Sequence, residues 1–419
     1  MSTATTHIKS EKQLLPALRF KEFTGEWDEI LLDDFAQRGS GHTPSKSHPE
    51  YYNGSINWIS LTDSKRLDKG FIDETNTKIT QEGIDNSSAV LHPAGTVLLS
   101  RDAGVGKSAV MKHSMAVSQH FIVWKSVEGK SSNWFLYNWL QIMKPHFELI
   151  AVGNTIKTIG LPYFKKLKIV NPKFPEQHKI ASFLSSVDDK IQQLTKKKVL
   201  LEQYKKGVIQ QLFSGQLRFK DENGKPYPDW EEKFLGEITE RNICYGVVQP
   251  GIEDDDGVKF IRGGDVFNGK ISKDLRIISK DITDKYKRTY LKGGELIMSL
   301  VGYPGETAIV PIELAGANLA RQVGLIDLKK EYDTGYIHFY INSAYGKKNL
   351  LSKTIGSAQQ VINIVDLKKL KVPLPLKEEQ QKIANYLSRI DTKIGAVNNQ
   401  ITQTRTFKKG LLQQMFVAA

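Results

Sequence analysis

The sequence predicts an α+β protein built as an internal repeat: two mixed α/β domains separated by two long helices that pair as an antiparallel coiled coil, in pseudo-twofold fashion. The first observation is a stretch written twice. EQHKIASFLSSVDDKI, Glu176 to Ile191, returns as EQQKIANYLSRIDTKI, Glu379 to Ile394, displaced by 203 positions. The displacement holds without a gap as far as KKGVIQQLF from Lys205 and KKGLLQQMF from Lys408. The second observation is the spacing of apolar residues at alternating steps of three and four in both copies, which is a coiled-coil seam. The third is that the segments before the two copies read as short strands separated by turns, followed by an aromatic helical stretch. Two related units in one chain approximate a twofold arrangement, which sets the rods antiparallel.

Residues 1–17 are a polar lead-in. The first domain, 18–171, opens on LRFKEFTGEW and carries strands at INWISL, GTVLLS and HFIVW, then the helical NWFLYNWL. The first rod, 172–216, follows Pro172 and Pro175 and stops near Gly215; from Glu176 to Phe213 a helix would run about 38 residues and roughly 57 Å. Its seam is Ile180, Leu184, Val187, Ile191 and Leu194. Lys198, within KKK, falls where the seam calls for an apolar residue, so the rod is expected to fray there. The second domain, 217–374, opens on LRFKDENGKPYPDW and carries strands at VKFIRG, GELIMS and VGLIDL, then the helical TGYIHFYIN. The second rod, 375–419, has the seam Ile383, Leu387, Ile390, Ile394, Val397 and Ile401. A seam this long and repeated invites the rods to pack on each other.

With 40% hydrophobic residues the chain has enough apolar side chains for real cores, and a formal charge of +13 with a pI near 9.3 points to a polyanionic partner. The absence of an apolar run of membrane-spanning length argues against a membrane, and the N-terminus has no secretory h-region. A cytoplasmic protein is expected. Its one cysteine, Cys244, excludes an internal disulfide framework and a thiolate zinc site.

Three motifs invite catalytic readings. SRDAGVGKS, from Ser100, ends like a phosphate-binding loop, but the glycine required before Gly106 is replaced by Arg101, and the twin SLVGYPGET has Glu306 in place of Lys107. A glycine turn between strands accounts for both. NPKF, from Asn171, echoes the loop of amino-methyltransferases without the glycine-rich donor site such enzymes need. The acidic run EDDDGVK, from Glu253, reads as a solvated loop rather than converging metal ligands. No catalytic, cofactor-binding or metal-ligating constellation emerges.

What remains is a surface suited to DNA. The loop QRGSGHTPSKSHPEYYNG brings Arg38, His42, Thr43 and Lys46, and Lys65, Arg66, Arg101 and Lys107 join them in the first domain. In the second domain the candidates are Arg241, Tyr245, Gln249, Arg262, Lys285, Lys287, Arg288, Arg321, Gln322, Gln359 and Gln360. Arginine and lysine suit guanine edges and phosphates, and glutamine suits adenine edges.

Over nearly its whole length the chain resembles the specificity subunits of type I restriction-modification systems. The likeness lies in ALRFKEFTGEW, GHTPSKSHPEYYNGSINWISLTD, GTVLLSRDAGVGKSAV, GNT from Gly153, and both rods with their linker. The resemblance implies two target-recognition domains, each reading half of a bipartite double-stranded DNA site, held apart by the rods. It also implies two methyltransferase subunits docked on the rods and two restriction subunits, with S-adenosylmethionine, ATP and Mg on those partners and no cofactor or catalysis in this chain. The second domain departs from the pattern, with NICYGVVQPGIEDDDG in place of the GHTPSKS run. Two readings of other classes are a coiled-coil scaffold with two protein-binding domains, and a stand-alone NTPase or methyltransferase using Lys107 or Asn171.

Overall fold

The computed structural model describes residues 14–352 and 361–417. They form two compact units, Met1–Leu194 with Gln400–Ala419, and Thr195–Asn399. The division falls inside the rods rather than at their starts, because each domain is completed by the far end of the opposite rod.

In the first unit a five-stranded sheet runs Ala36–Ser40, Phe121–Ser126, Val97–Ser100, Ser108–Met111, Phe71–Ile72, with only the last pair parallel. Val97–Ser100 is buried at every position because both faces of the sheet are covered. Val97, Leu99 and Val110 pack toward Phe135, Leu136 and Leu140 of the helix Asn133–Ile150. Leu98, Ala109 and Met111, on the other face, pack toward Ile59 and Val117. Those belong to a three-stranded sheet of Thr77–Ile79, Tyr52–Ile59 and Ala116–Val117. A short antiparallel pair, Asp28–Leu31 with Lys168–Asn171, closes the domain at the start of the rod.

The second unit repeats this plan. Its main sheet runs Thr239–Tyr245, Val323–Leu328, Leu296–Ser299, Thr307–Ile309, and its smaller sheet Arg276–Ile278, Glu253–Ile261, Asn318–Leu319. Leu296 and Met298 face Tyr336 and Ile337, whereas Ile297 and Ala308 face Ile261 and Leu319. The pair Glu231–Phe234 with Lys371–Leu374 closes it. The acidic run expected as a solvated turn lies on the strand Glu253–Ile261. Glu253 and Val258 both stand opposite Ile278, so the intervening residues loop out of the ladder. Tyr52 and Ile56 do the same opposite Ile79 in the first unit.

The rods are the helices Phe174–Phe213, 40 residues, and Lys377–Met415, 39 residues. Pro175 sits inside the first turn rather than before it, where a missing N–H breaks no helical bond. In the first unit Asp188 accepts both bonds of the Lys408 ammonium at 2.7 Å. In the second unit Lys198 reaches Asn398 at 2.9 Å and Lys205 reaches Asp391 at 2.6 Å. One number rises as the other falls, so the helices run antiparallel within the unit. Every seam residue is buried except Ile191 and Ile394, which are half-buried. The helix passes Lys198 without a break, because Asn398, with Glu202 at 3.9 Å, gives the ammonium polar partners.

The seam is shared with the domains. Ile180, Leu184 and Val187 join Leu411, Met415 and Phe416 in the core that holds Trp27 and Phe135. Val208, Leu212 and Phe213 join Ile383, Leu387 and Ile390 in the core that holds Tyr336 and Tyr340. The Glu-Gln pair opening each repeat is a lock. Glu176, its side chain 4% exposed, accepts both bonds of a bidentate Arg19 at 2.7 and 2.8 Å, and the fully buried Glu379 accepts two from Arg218 at 2.9 Å. Gln177 accepts from the Ser132 N–H and donates to Pro172 C=O, and Gln380 does so with Asp333 and Pro375. Each lock ties the opening LRF segment and the start of the aromatic helix to the first turn of a rod.

Candidate nucleic-acid interface

Strand register gathers the candidate loops at one end of each main sheet. In the first unit Ser40 stands opposite Ile122, Ser100 opposite Phe121, and Leu99 opposite Ser108. The chain therefore leaves and returns at this end through residues 41–51, 101–107 and 118–120. Gly41 starts the first loop against the neighbouring backbone: a Cβ there would stand 1.8 Å from the Val117 carbonyl oxygen, and one at Gly246 in the second unit 1.7 Å from that of Leu319. Only glycine allows so close an approach.

Hydrogen bonds join these loops into one surface. The Thr43 hydroxyl donates to Gln119 Oε1 at 2.5 Å. Arg101 donates from Nε to the Gln119 carbonyl and from Nη1 to the Ile159 carbonyl, both at 3.1 Å. Lys107 donates to the Ser64 hydroxyl at 2.9 Å and to its carbonyl at 3.2 Å. Arg66 donates to Asn76 at 3.0 Å and lies 3.6 Å from Asp63. His42, Lys46 and Lys65 are exposed. Arg38 is set back on its strand, 3.2 Å from Asp33. Arg101 and Lys107 thus hold loops in place and contribute positive charge, and the glycine turn around Lys107 is the strand-to-strand connection expected from its twin.

In the second unit Tyr245 stands opposite Gly324 and Ser299 opposite Val323, which places residues 246–252, 300–306 and 320–322 at the corresponding end. The Arg321 N–H donates to Val247 C=O at 2.9 Å and the Leu300 N–H to Gln322 C=O at 2.7 Å. Tyr245, Gln249 and Arg321 are exposed and Gln322 is half-buried. Arg262 clasps Asp265 at 3.0 and 3.1 Å and borders an open cleft of about 630 Å³ between residues 251–253 and 274–276. Tyr286 packs against Val247 and Ala320, which brings the exposed Lys285, Lys287 and Arg288 beside this end.

Arg241 is a correction. Its guanidinium meets Asp327 at 2.5 Å, Glu295 at 2.6 Å and the Tyr290 carbonyl at 2.8 Å, so it is an internal brace at the start of its strand with its donors already engaged. Gln359 and Gln360 lie outside the described residues. Asn171 is buried, donating to the Asp28 carbonyl at 3.2 Å and accepting from Gln177 at 3.3 Å. Its role is in the closing strand pair and the lock. Among the described residues no three acidic, histidine or cysteine side chains gather as metal ligands, and no helix is long and apolar enough to cross a membrane.

Sequence reasoning missed Gln119, which bridges Thr43 and Arg101, and the group Asp102, His120 and Thr158, in which Asp102 lies 2.8 Å from His120 Nδ1 and accepts from the Thr158 hydroxyl. For Asp102, Gln119 and His120 the available signal was positional, since each flanks a strand that ends at this surface; Thr158, between two helices, carried none.

The sequence model of the type I restriction modification DNA specificity domain matches residues 24–203 and again 227–404. The EcoBI specificity subunit of Escherichia coli is 28% identical over 313 residues, which are 69% of this chain and 66% of that protein. The MjaVIII specificity subunit of Methanocaldococcus jannaschii is 27% identical over 421 residues, 94% of each chain. In fold, the crystal structure of a type I restriction-modification S subunit from M. genitalium is similar at a TM-score of 0.60 and 15% identity, covering 97% of this chain and all of that one.

Proposed function

The chain belongs to the type I restriction modification DNA specificity domain family, and on that footing we propose that it is the non-catalytic DNA-recognition subunit of a type I restriction-modification complex, each unit reading one half of a bipartite site. The observation that carries this reading is the pairing of a repeated frame with unlike loop surfaces: His42, Thr43, Lys46 and Lys65 in one unit, Tyr245, Gln249, Arg321 and Gln322 in the other. Two different readers on one plan suit two different half-sites. A positive surface of exposed lysines and arginines supplies phosphate contacts that fix orientation, and polar side chains at the loop tips supply base contacts.

In this reading the rods set the separation of the readers. Two readers on one face of B-DNA stand about 34–36 Å apart for each helical turn between their half-sites. Adding or removing one helical turn of rod at 200–203 and at the matching 403–406 changes the spacer and leaves both half-sites unaltered. The outward faces of the rods dock two methyltransferase subunits, and two restriction subunits complete the complex in the cytoplasm. S-adenosylmethionine, ATP and Mg belong to those partners. Phosphate contacts make binding weaken steeply with salt.

The test is a genome-wide map of methylated bases in cells with and without this chain, the neighbouring genes intact. Loss of methylation at a split motif with a fixed spacer is the expected result. Unchanged methylation, together with indifference of the assembled complex to DNA at low salt, would replace this reading with a scaffold whose domains bind proteins.

A further inference from the structure

We propose that the hairpin of residues 152–158 in the first unit is a DNA-contact element whose Ile156 makes apolar contact with bases of the half-site read by that unit. This rests on the reading of the chain as a DNA-recognition subunit, and it adds an element that the charged and amide side chains of the loop surface do not reveal.

Leu149, Val152 and Ile156 are 82%, 72% and 58% exposed, the three highest values among the large apolar side chains described in the first unit. Single exposed apolar residues are ordinary; here three fall within eight positions, Leu149 in the last turn of the helix Asn133–Ile150 and Val152 and Ile156 on the hairpin that follows it. The element is built. Val152 and Thr158 exchange backbone hydrogen bonds at 3.0 and 2.9 Å. Gly153 holds φ +131°, and a Cβ there would stand 2.2 Å from the Ile156 carbonyl oxygen, so the turn closes only on glycine.

Its base is tied to the loop surface. The Thr158 hydroxyl donates to Asp102, which also lies 2.8 Å from His120 Nδ1. The Ala103 N–H donates to the Lys157 carbonyl at 3.2 Å, and the Ile159 N–H to the Arg101 carbonyl at 2.9 Å. Through Arg101 and Gln119 the hairpin is continuous with Thr43 and its loop. Charge then selects the occupant. Arg101, His120 and the exposed Lys157 flank the hairpin, and the Asp102 carboxylate is buried and already accepting, so the surroundings suit a polyanion better than an acidic or neutral protein face. On DNA an apolar side chain finds its counterpart in the thymine C5-methyl, and Asn154 and Thr155 stand beside Ile156 with hydrogen-bonding groups.

The experiment uses the full chain assembled with its methyltransferase partners, a randomised library of bipartite duplexes, and the variants I156S, K157Q and V127S. Val127 is the control: it is exposed, and it follows Ser126 at the opposite end of the sheet. I156S is expected to weaken cognate binding about tenfold and to relax preference at one position of one half-site, with the other half-site and the spacer unchanged. K157Q is expected to weaken all sequences alike and to reduce the salt dependence, and V127S to change nothing. An I156S complex with unchanged affinity and motif would overturn the proposal, as would loss of the partner subunits with sequence preference intact, which would make the hairpin a protein contact. A wild-type complex without sequence preference would overturn the underlying function itself.

Discussion

At the rod starts the two units are nearly interchangeable. Arg19 clasps Glu176 in one and Arg218 clasps Glu379 in the other, and Gln177 and Gln380 make the same two kinds of backbone contact. At the loop ends they part. Among the described residues, Asp102 with His120 and Thr158 has no counterpart around Val301 and Gln322, and the GHTPSKS loop of residues 41–51 gives way to a shorter one, residues 246–252, that leads into the acidic run on the next strand. Interactions that hold a domain on a rod tolerate little variation because they are buried and directional. A solvent-facing loop tip is free to vary once glycines such as Gly41 and Gly246 fix where it leaves the sheet.

The comparison is most directly broken at the two phenylalanines that complete each other's halves of the repeat. Phe416 stacks on Phe135 with ring centroids 4.9 Å apart, and Phe213 lies 5.6 Å from Tyr336. F416A should cost about 4 kcal/mol in the first unit and F213A about the same in the second. Hydrogen exchange of the helices Asn133–Ile150 and Thr334–Asn342 reads this; equal loss of protection in both helices from either change would show that the units are not energetically separate.

Next in size are the locks. E176A and E379A each strand a guanidinium, at a cost of about 3 kcal/mol, while replacing both members of either pair with methionine should cost far less because no charge is left unpaired. Urea unfolding of the single and double variants measures the difference, and equal costs for E379A and the double change would argue against a lock.

A third prediction separates the units by pH. Five residues after the helix cap the first unit has Tyr137, whose hydroxyl burial pushes up, and the second has His338. Burial, with the Lys205 ammonium second, holds the His338 imidazole neutral down to about 4, against an ordinary value of 6.5. Between those values the unfolded chain takes up a proton that the folded unit refuses. The stability of the second unit should be complete above about pH 6.5 and decline toward pH 4 by up to about 3 kcal/mol, with no such loss in H338N. A thermal-melt series read by exchange in each unit tests it, and a parallel decline in both units would place its cause elsewhere. The smallest effects lie on the loop surfaces. K46A and R321A should each weaken DNA binding by about 1 kcal/mol, the first disturbing recognition of one half-site and the second the other. Competition binding with half-site variants reads this, and a shared half-site for both would break the assignment of one reader to each unit.

By itself the sequence determined the repeat, both rods and their antiparallel sense, the strands through Trp58, Leu98, Phe260 and Ile297, and the strand-to-strand turn at Lys107. These follow from local periodicity and from the displacement of 203 positions, which any copy of the chain displays before it folds. Tertiary structure alone decided which cations face outward. Arg241 and Arg321 look alike in sequence, but Arg241 stands where Asp327 and Glu295 converge from neighbouring strands, and Arg321 stands on a loop beyond the last ladder bond. It also decided that Lys198 would find Asn398, that Phe416 would belong to the first domain, and that residues 152–158 would rise beside Arg101. Each depends on partners far away in the chain, and no local pattern carries the position of a distant side chain.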